Sequence, residues 1–212
     1  MRKIIIYGSG GFGREVHQLI DIINNNTKTW NFIGYIDDSK ESGSIINNKK
    51  VLGNLNFLNE INEEVNLVLA IATPQSLFEI KSKIINKKIK YPNLIHPDVY
   101  FDQEFNKIGK GNIITTGCLF TRNIELGDFN IFNTRVCVGH DNLIGSYNVF
   151  QPNTQISGNI IIGNRNFFGV NSLVLAEKKI GDDNNLGAAS MLIKNIKDNG
   201  SYFGVPAMKQ KF

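Results

Sequence analysis

From Ile108 onward, every sixth residue is a large aliphatic or aromatic one. The series runs Ile108, Ile114, Phe120, Leu126, Phe132, Val138, Ile144, Phe150, Ile156, Ile162, Phe168, Val174, Ile180, Leu186 and Leu192, fifteen positions without a break. With about a third of residues in an ordinary protein being of that kind, chance agreement in one fixed phase is negligible. A longer period lies on top. Ile108-Gly109, Leu126-Gly127, Ile144-Gly145, Ile162-Gly163 and Ile180-Gly181 recur every eighteen residues, and three residues after each glycine comes Asn112, Asn130, Asn148, Asn166 or Asn184. A period of 3.6 would lose this phase, and a flat meander would need hairpin turns that the sequence lacks. Three hexapeptides therefore make one turn of a parallel β-helix of triangular section. Each apolar residue points into the prism, and coils stack about 4.8 Å apart, so five coils stand roughly 24 Å tall. Glycine and asparagine are expected at the corners, where the chain needs φ > 0.

Residues 1–92 follow another rhythm. A short apolar run, Lys3–Tyr7, leads into Gly8-Ser9-Gly10-Gly11-Phe12-Gly13 and then into a helical pattern through Val16, Leu19, Ile20 and Ile23. Further strands fit Phe32–Ile36, ending at Asp37-Asp38, and Asn66–Ala72, ending at Thr73-Pro74; a lysine-rich helix follows near Leu77–Lys87. That order predicts a small Rossmann-like α/β sheet with helices on its faces. Tyr91-Pro92 and His96-Pro97 punctuate the chain. The expected division is 1–92 for the α/β domain and 93–212 for the β-helix with its tail.

Composition narrows the function classes. Net charge is +4, 42% of residues are hydrophobic, and basic residues are scattered, which argues against a nucleic-acid groove. The first apolar run is too short for a signal peptide or a membrane span, so a cytoplasmic protein is expected. Cys118 and Cys137 lie inside the repeats without an activating neighbour and read as small buried hydrophobes. No cluster of histidine, cysteine and acidic residues has ligand spacing, so no metal is expected.

The motifs Tyr7-Gly-Ser-Gly-Gly-Phe-Gly13, Gly34-Tyr-Ile-Asp-Asp38, Asn133-Thr134, Gly139-His-Asp141, Ser157-Gly-Asn159 and Gly204-Val-Pro-Ala207 occur in that order. Over nearly its full length the chain resembles the hexapeptide-repeat sugar O-/N-acyltransferases of the sialic acid O-acetyltransferase type. Within these it looks most like the UDP-4-amino-sugar N-acetyltransferases of bacillosamine synthesis. The resemblance implies a left-handed β-helix and a homotrimer with active sites shared between subunits. It also implies acetyl-CoA as acyl donor and a nucleotide-linked amino sugar as acceptor.

The reaction needs a base to take a proton as an amine or hydroxyl attacks a thioester, and an imidazole titrating near neutrality suits it. His140 follows the inward Val138 by two residues and should project outward, with Asp141 placed to orient its ring. By resemblance, Gly158 offers a backbone N–H to the developing oxyanion. Acyl-CoA contacts carried over by position fall at Gly169, Val170, Gly187, Ala188, Gly204, Pro206 and Ala207. Val149 is assigned to the same acyl-CoA site by position, although many relatives have a second histidine there, near the acetyl carbonyl. Gly8, Ser9, Gly10, Gly11 and Phe12 form a Gly-x-Gly-x-x-Gly turn that can hold a phosphate at a helix start. The same turn also describes NAD sites, or simple packing of helix on sheet. The resemblance assigns it, with Asp37, Asp38 and Ala72, to the nucleotide sugar, and Asn133 to the sugar itself. His17 and His96 read as structural.

The sequence separates N-acetylation poorly from O-acetylation of sialic acid or another glycan sugar, because the change of nucleophile needs no new catalytic residue. A non-catalytic β-helix scaffold or nucleotide-sugar sensor would leave His140-Asp141 unexplained, and a small NAD-dependent dehydrogenase would leave the prism unexplained.

Overall fold

The computed structural model describes residues 1–210. In the first part, strand β1 (Arg2–Tyr7) leads to helix α1 (Gly11–Asn26) and strand β2 (Trp30–Ile36). A two-stranded turn of β3 (Ile45–Ile46) and β4 (Lys49–Gly53) is followed by α2 (Leu55–Glu60), β5 (Val65–Leu69), α3 (Pro74–Lys83) and β6 (Ile89–Lys90). The sheet order is β3-β4-β2-β1-β5-β6, with β3 antiparallel to β4 and the other pairs parallel. Helix α3 starts about one turn earlier than its apolar pattern suggests. Pro74 occupies its first turn, where a missing N–H costs nothing.

The sheet ends at Lys90, and β7 (Leu94–Ile95) already pairs with Ile113–Ile114 of the prism. From there the chain winds a left-handed parallel β-helix of two-residue strands, which between Lys107 and Leu192 pair eighteen residues apart: Leu119 pairs with Cys137, Glu125 with Leu143, Ile131 with Val149. Two of its faces carry five strands; the third carries eight, including β7 and the C-terminal strands Ser201–Phe203 and Met208–Lys209. The six-residue series fills the interior. Phe132, Phe150 and Phe168 stack face to face with centroids 4.7 and 4.6 Å apart, the rise of one coil.

The corners are built differently from the sequence expectation. Positive φ falls on Gly111, Phe129, Tyr147, Arg165 and Asp183, one residue before each asparagine of the series, and equivalently on Gly117, Asn123, Arg135, Asp141 and Asn159 at the other corners. The asparagines after the Ile-Gly pairs are buried instead, and form a chain. Asn130, Asn148, Asn166 and Asn184 each donate a backbone N–H to the side-chain oxygen of the asparagine one coil back, at 2.8–2.9 Å. The glycines of those pairs are needed for closeness, not for φ: a Cβ on Gly127 would lie 2.7 Å from the Gly145 carbonyl oxygen.

The N-terminal domain covers the prism face of Ile113, Ile131 and Val149, which share its hydrophobic core. Phe129 and Tyr147 stack at 5.3 Å and meet Tyr91 and Phe78 edge-on. Both hold φ near +60°, which an aromatic residue seldom adopts, in return for burial between the two halves.

Replacing Asn148 by alanine should leave the Asn166 N–H and the Gly163 carbonyl unpaired in a dry interior. The expected loss is about 3 kcal/mol in urea unfolding, against less than about 0.5 kcal/mol for the exposed Gln155→Ala.

Candidate active site

The corner that carries His140 lies between strands Cys137–Val138 and Leu143–Ile144. Asn142 anchors it from inside: its amide donates to the Gly139 and Ser157 carbonyls at 2.7 and 2.8 Å, and its oxygen accepts the Ile160 N–H at 2.7 Å. Asp141 takes φ +58°, which turns both side chains outward. The His140 Nδ1 lies 2.7 Å from Asp141 Oδ2, and the Asn123 amide donates to Asp141 Oδ1 at 2.9 Å. Those two bonds, that from Asn123 foremost, hold the Asp141 carboxyl below the usual carboxylate range. An ionised Asp141 fixes the proton on Nδ1 and leaves the Nε2 lone pair free to accept one.

Gly158, one coil above, is the floor on which this ring lies. A Cβ there would sit 2.7 Å from both Cε1 and Nε2 of His140. The corner also differs in its backbone from the asparagine corner. On the asparagine corner, the amides of Lys110, Asp128, Ser146, Asn164 and Asp182 each donate to a side chain one coil further on. At the His140 corner, the corresponding amides of Arg122, His140, Gly158 and Ala176 have no partner among the described residues. A row of open donors beside a free imidazole nitrogen can bind an oxygen that is gaining negative charge.

The remaining predicted residues lie elsewhere. Asn133, Gly169, Val170, Gly187 and Ala188 occupy a second corner, across the sheet of Leu119, Cys137, Gln155, Leu173 and Met191 from His140. Asn133 and Val170 line a cleft of about 680 Å³ against Glu15 and Gln18 of α1. Gly169 packs on the Ala188 amide, and Gly187 lies under the Phe203 ring. Gly204 and Pro206 are exposed in the C-terminal turn, whereas the Ala207 side chain is wholly buried in the prism end. Val149 requires a correction. It faces away from the prism interior and is 0% exposed beneath the N-terminal domain, so it cannot touch an acyl donor. Ala207 is likewise limited to backbone contact.

The glycine loop sits at the carboxyl end of β1, between β2 and β5, where the chain departs to opposite sides. Such switch points open a crevice for ligands. Gly8 (φ +97°) lies against the Ala70 carbonyl, and a Cβ on Gly13 would come within 2.0 Å of the Gly8 oxygen. Gly10 and Gly11 face open space, and the first turn of α1 has neither a side-chain cap nor an acidic residue, so its N–H groups are available to an anion. Phe12 is half-buried against the domain core, and Ala72 lies just before α3.

Asp37 and Asp38 brace this loop from within. Asp37 Oδ2 accepts the Ser9 N–H and hydroxyl at 2.9 and 2.6 Å, and Oδ1 accepts those of Ser39 at 2.9 and 2.7 Å. Burial raises the Asp37 pKa, but these four bonds outweigh it and bring it down to about 2. Asp38 accepts the Tyr7 hydroxyl and the Leu55 N–H.

Sequence reasoning missed Tyr7, Ser39 and Asn123. Only Asn123 carried a signal, since it stands eighteen residues before Asp141. A second His–Asp pair, His96 Nδ1 to Asp98 at 2.6 Å, is a clamp: Asp98 also accepts the Thr116 hydroxyl and the Gly117 N–H, tying the chain to the first full coil. A cleft of about 860 Å³ opens between the start of α3 and the prism, lined by Gln75, Phe78, Arg165 and Asn185. Among the described residues no group of side chains could hold a metal ion, and no helix is long and apolar enough to cross a membrane.

Residues 3–87 match the family model described as the PglD N-terminal domain. No curated protein matches the sequence. Several solved structures share the whole fold. The acetyltransferase domain of PglB from Neisseria gonorrhoeae, in complex with acetyl coenzyme A, is 27% identical with a TM-score of 0.89, covering 99% of each chain. WeeI from Acinetobacter baumannii is 25% identical with a TM-score of 0.87, over 99% of this chain and 100% of its own. A GDP-perosamine N-acetyltransferase variant from Caulobacter crescentus, in complex with CoA and GDP-perosamine, is 22% identical with a TM-score of 0.90, over 100% of this chain and 98% of its own. The chain thus has the two parts its sequence resembles, a PglD-type N-terminal domain and a left-handed hexapeptide prism.

Because the folded pKa of Asp37 is depressed from 3.8 to about 2, its bonds stabilise the domain above 3.8 and that contribution is lost as pH falls toward 2. Asp37→Asn should therefore lower Tm at pH 7, with the gap to the natural protein closing on acidification through that window.

Proposed function

We propose that this protein transfers the acetyl group of acetyl-CoA to the amino group of a nucleotide-linked sugar, with His140 as general base. The observation that carries the reading is the His140 ring, oriented by Asp141 and laid on Gly158, at a corner whose neighbouring amides are open. The likeness to an acetyl-CoA-bound acetyltransferase domain over 99% of the chain supports the donor. The GDP-perosamine complex belongs to a less similar protein and suggests only the class of acceptor.

In this reading the nucleotide diphosphate lies on the Gly8–Gly11 turn at the open start of α1, beside Ala72 and the Asp37–Asp38 brace. The sugar amine attacks the thioester carbonyl as His140 Nε2 takes its proton. A C–N bond forms, the carbonyl electron pair moves to oxygen, and the Gly158 N–H donates to that oxygen. Collapse of the adduct breaks the C–S bond, and the imidazolium returns its proton to the departing CoA thiolate.

His140 and the residues expected to hold CoA stand on different corners of one prism. A homotrimer would bring the His140 corner of one copy against Gly169, Val170, Gly187 and Ala188 of the next, with Asn133 near the sugar. Leu119, Leu143 and Ile161 flank the His140 corner and are exposed in the single chain, as an interface would require. The described residues include no spanning helix, in keeping with a cytoplasmic enzyme.

The test is thiol release from acetyl-CoA with UDP-, GDP- and dTDP-linked amino sugars and with free sialic acid. Turnover on an amino sugar should fall by about a hundredfold or more in His140→Ala, and similarly in Gly158→Val with Tm nearly unchanged. Turnover on sialic acid alone would make the enzyme an O-acetyltransferase; full activity in His140→Ala would overturn the mechanism. Mixing His140→Ala with Ala188→Trp, each inactive alone, should restore turnover if the site spans two copies.

A further inference from the structure

We infer that Asn123 is a positioning residue for catalysis: it holds the Asp141 carboxylate in the orientation that makes His140 Nε2 the base. The inference rests on the proposed role of His140.

Asn123 and Asp141 occupy the same left-handed corner position on successive coils, at φ +57° and +58°. Their side chains therefore leave the backbone in parallel, one above the other. The bond of 2.9 Å from Asn123 Nδ2 to Asp141 Oδ1 leaves Oδ2 turned to His140 Nδ1 at 2.7 Å. The Asp141 side chain is half exposed, and no other side chain among the described residues fixes its rotamer. Without Asn123 the carboxylate is free to rotate into solvent, and the imidazole loses the partner that sets its tautomer.

The arrangement is specific to this position. The next residue of the file, Asn159, makes no such bond to Asp141, and its N–H is spent on the His140 carbonyl at 2.8 Å. The other charged groups on the corner are engaged or distant. Arg122 lies over the Phe105 ring at 4.2 Å and pairs with Asp102 at 3.7 Å, while Glu177 and Lys178 stand two coils above Asp141.

Two substitutions separate this role from a purely conformational one. Asn123→Gly keeps a residue at ease with positive φ and deletes the amide; Asn123→Asp keeps the shape and sets a second carboxylate against Asp141. In Asn123→Gly, kcat should fall about tenfold, short of the roughly hundredfold cost of misplacing a reacting group by about 1 Å, with KM for both substrates unchanged. The acid limb of its kcat/KM profile should move to lower pH, because the imidazolium loses its anion part of the time. In Asn123→Asp the added charge should move the same limb to higher pH, by about half a unit on this exposed corner. An unchanged kcat and acid limb in Asn123→Gly, or a shift in the same direction in both variants, would overturn the inference. If His140→Ala keeps full activity, the base itself is wrong and the inference goes with it. An inactive His140→Ala beside an unaltered Asn123→Gly sinks the positioning role alone.

Discussion

Each coil of the prism depends on one backbone constraint, a single left-handed residue at every corner, followed at all but Lys178 by a buried residue. Left-handed backbone costs an ordinary side chain of order 1 kcal/mol or more, and it recurs here at thirteen non-glycine corners from Asn123 to Asn199. The stack meets that cost with parallel strand bonds and, on one corner, with a chain of asparagines running from Asn112 to Asn184. Each side-chain oxygen of that chain accepts an N–H from the next coil, the last being that of Gly200 on Asn184. Each coil is therefore a template for the next, and the prism is stable only as a stack.

That constraint leaves the corners off the asparagine chain with free backbone donors. Where asparagine chain and side-chain bonds occupy every donor, the backbone is closed to ligands. At His140 the same geometry is kept by Asn142 alone, and the amides beside it stay open. The left-handed residue also has a second use there. It aims Asp141 outward next to His140 on a rigid backbone, so the pair is positioned by the fold and not by a mobile loop. Gly158 completes the site by absence, since any side chain would occupy the space of the ring.

The N-terminal domain follows different physics. Its glycine loop is held by contact, Gly13 against Gly8 and Gly8 against Ala70, and by the bonds of Ser9 and Ser39 to Asp37. The two halves are joined through aromatics at left-handed corners, Phe129 and Tyr147, which the repeat alone would not require. Covering that face explains Val149: beneath a domain, an outward position becomes a core position.

The prism was legible because its period is a direct image of its geometry, one inward side chain per face and three faces per coil. The outward placement of His140 and Asp141 followed from the same count, as did the crevice at Gly8–Gly13 from strand, turn and helix in sequence. Which residue bends the corner was not legible, since phenylalanine, tyrosine and arginine there violate local preference and are held by packing and stacking. Nor was the burial of Val149, because it depends on a domain whose docking leaves no periodic trace. The sequence by itself determined the repeat, the inward file and the candidate base. Tertiary structure alone decided the open amides, the clamp on Asp141, and the separation of His140 from Gly169 and Ala188, since these arise from contacts between coils and domains far apart along the chain.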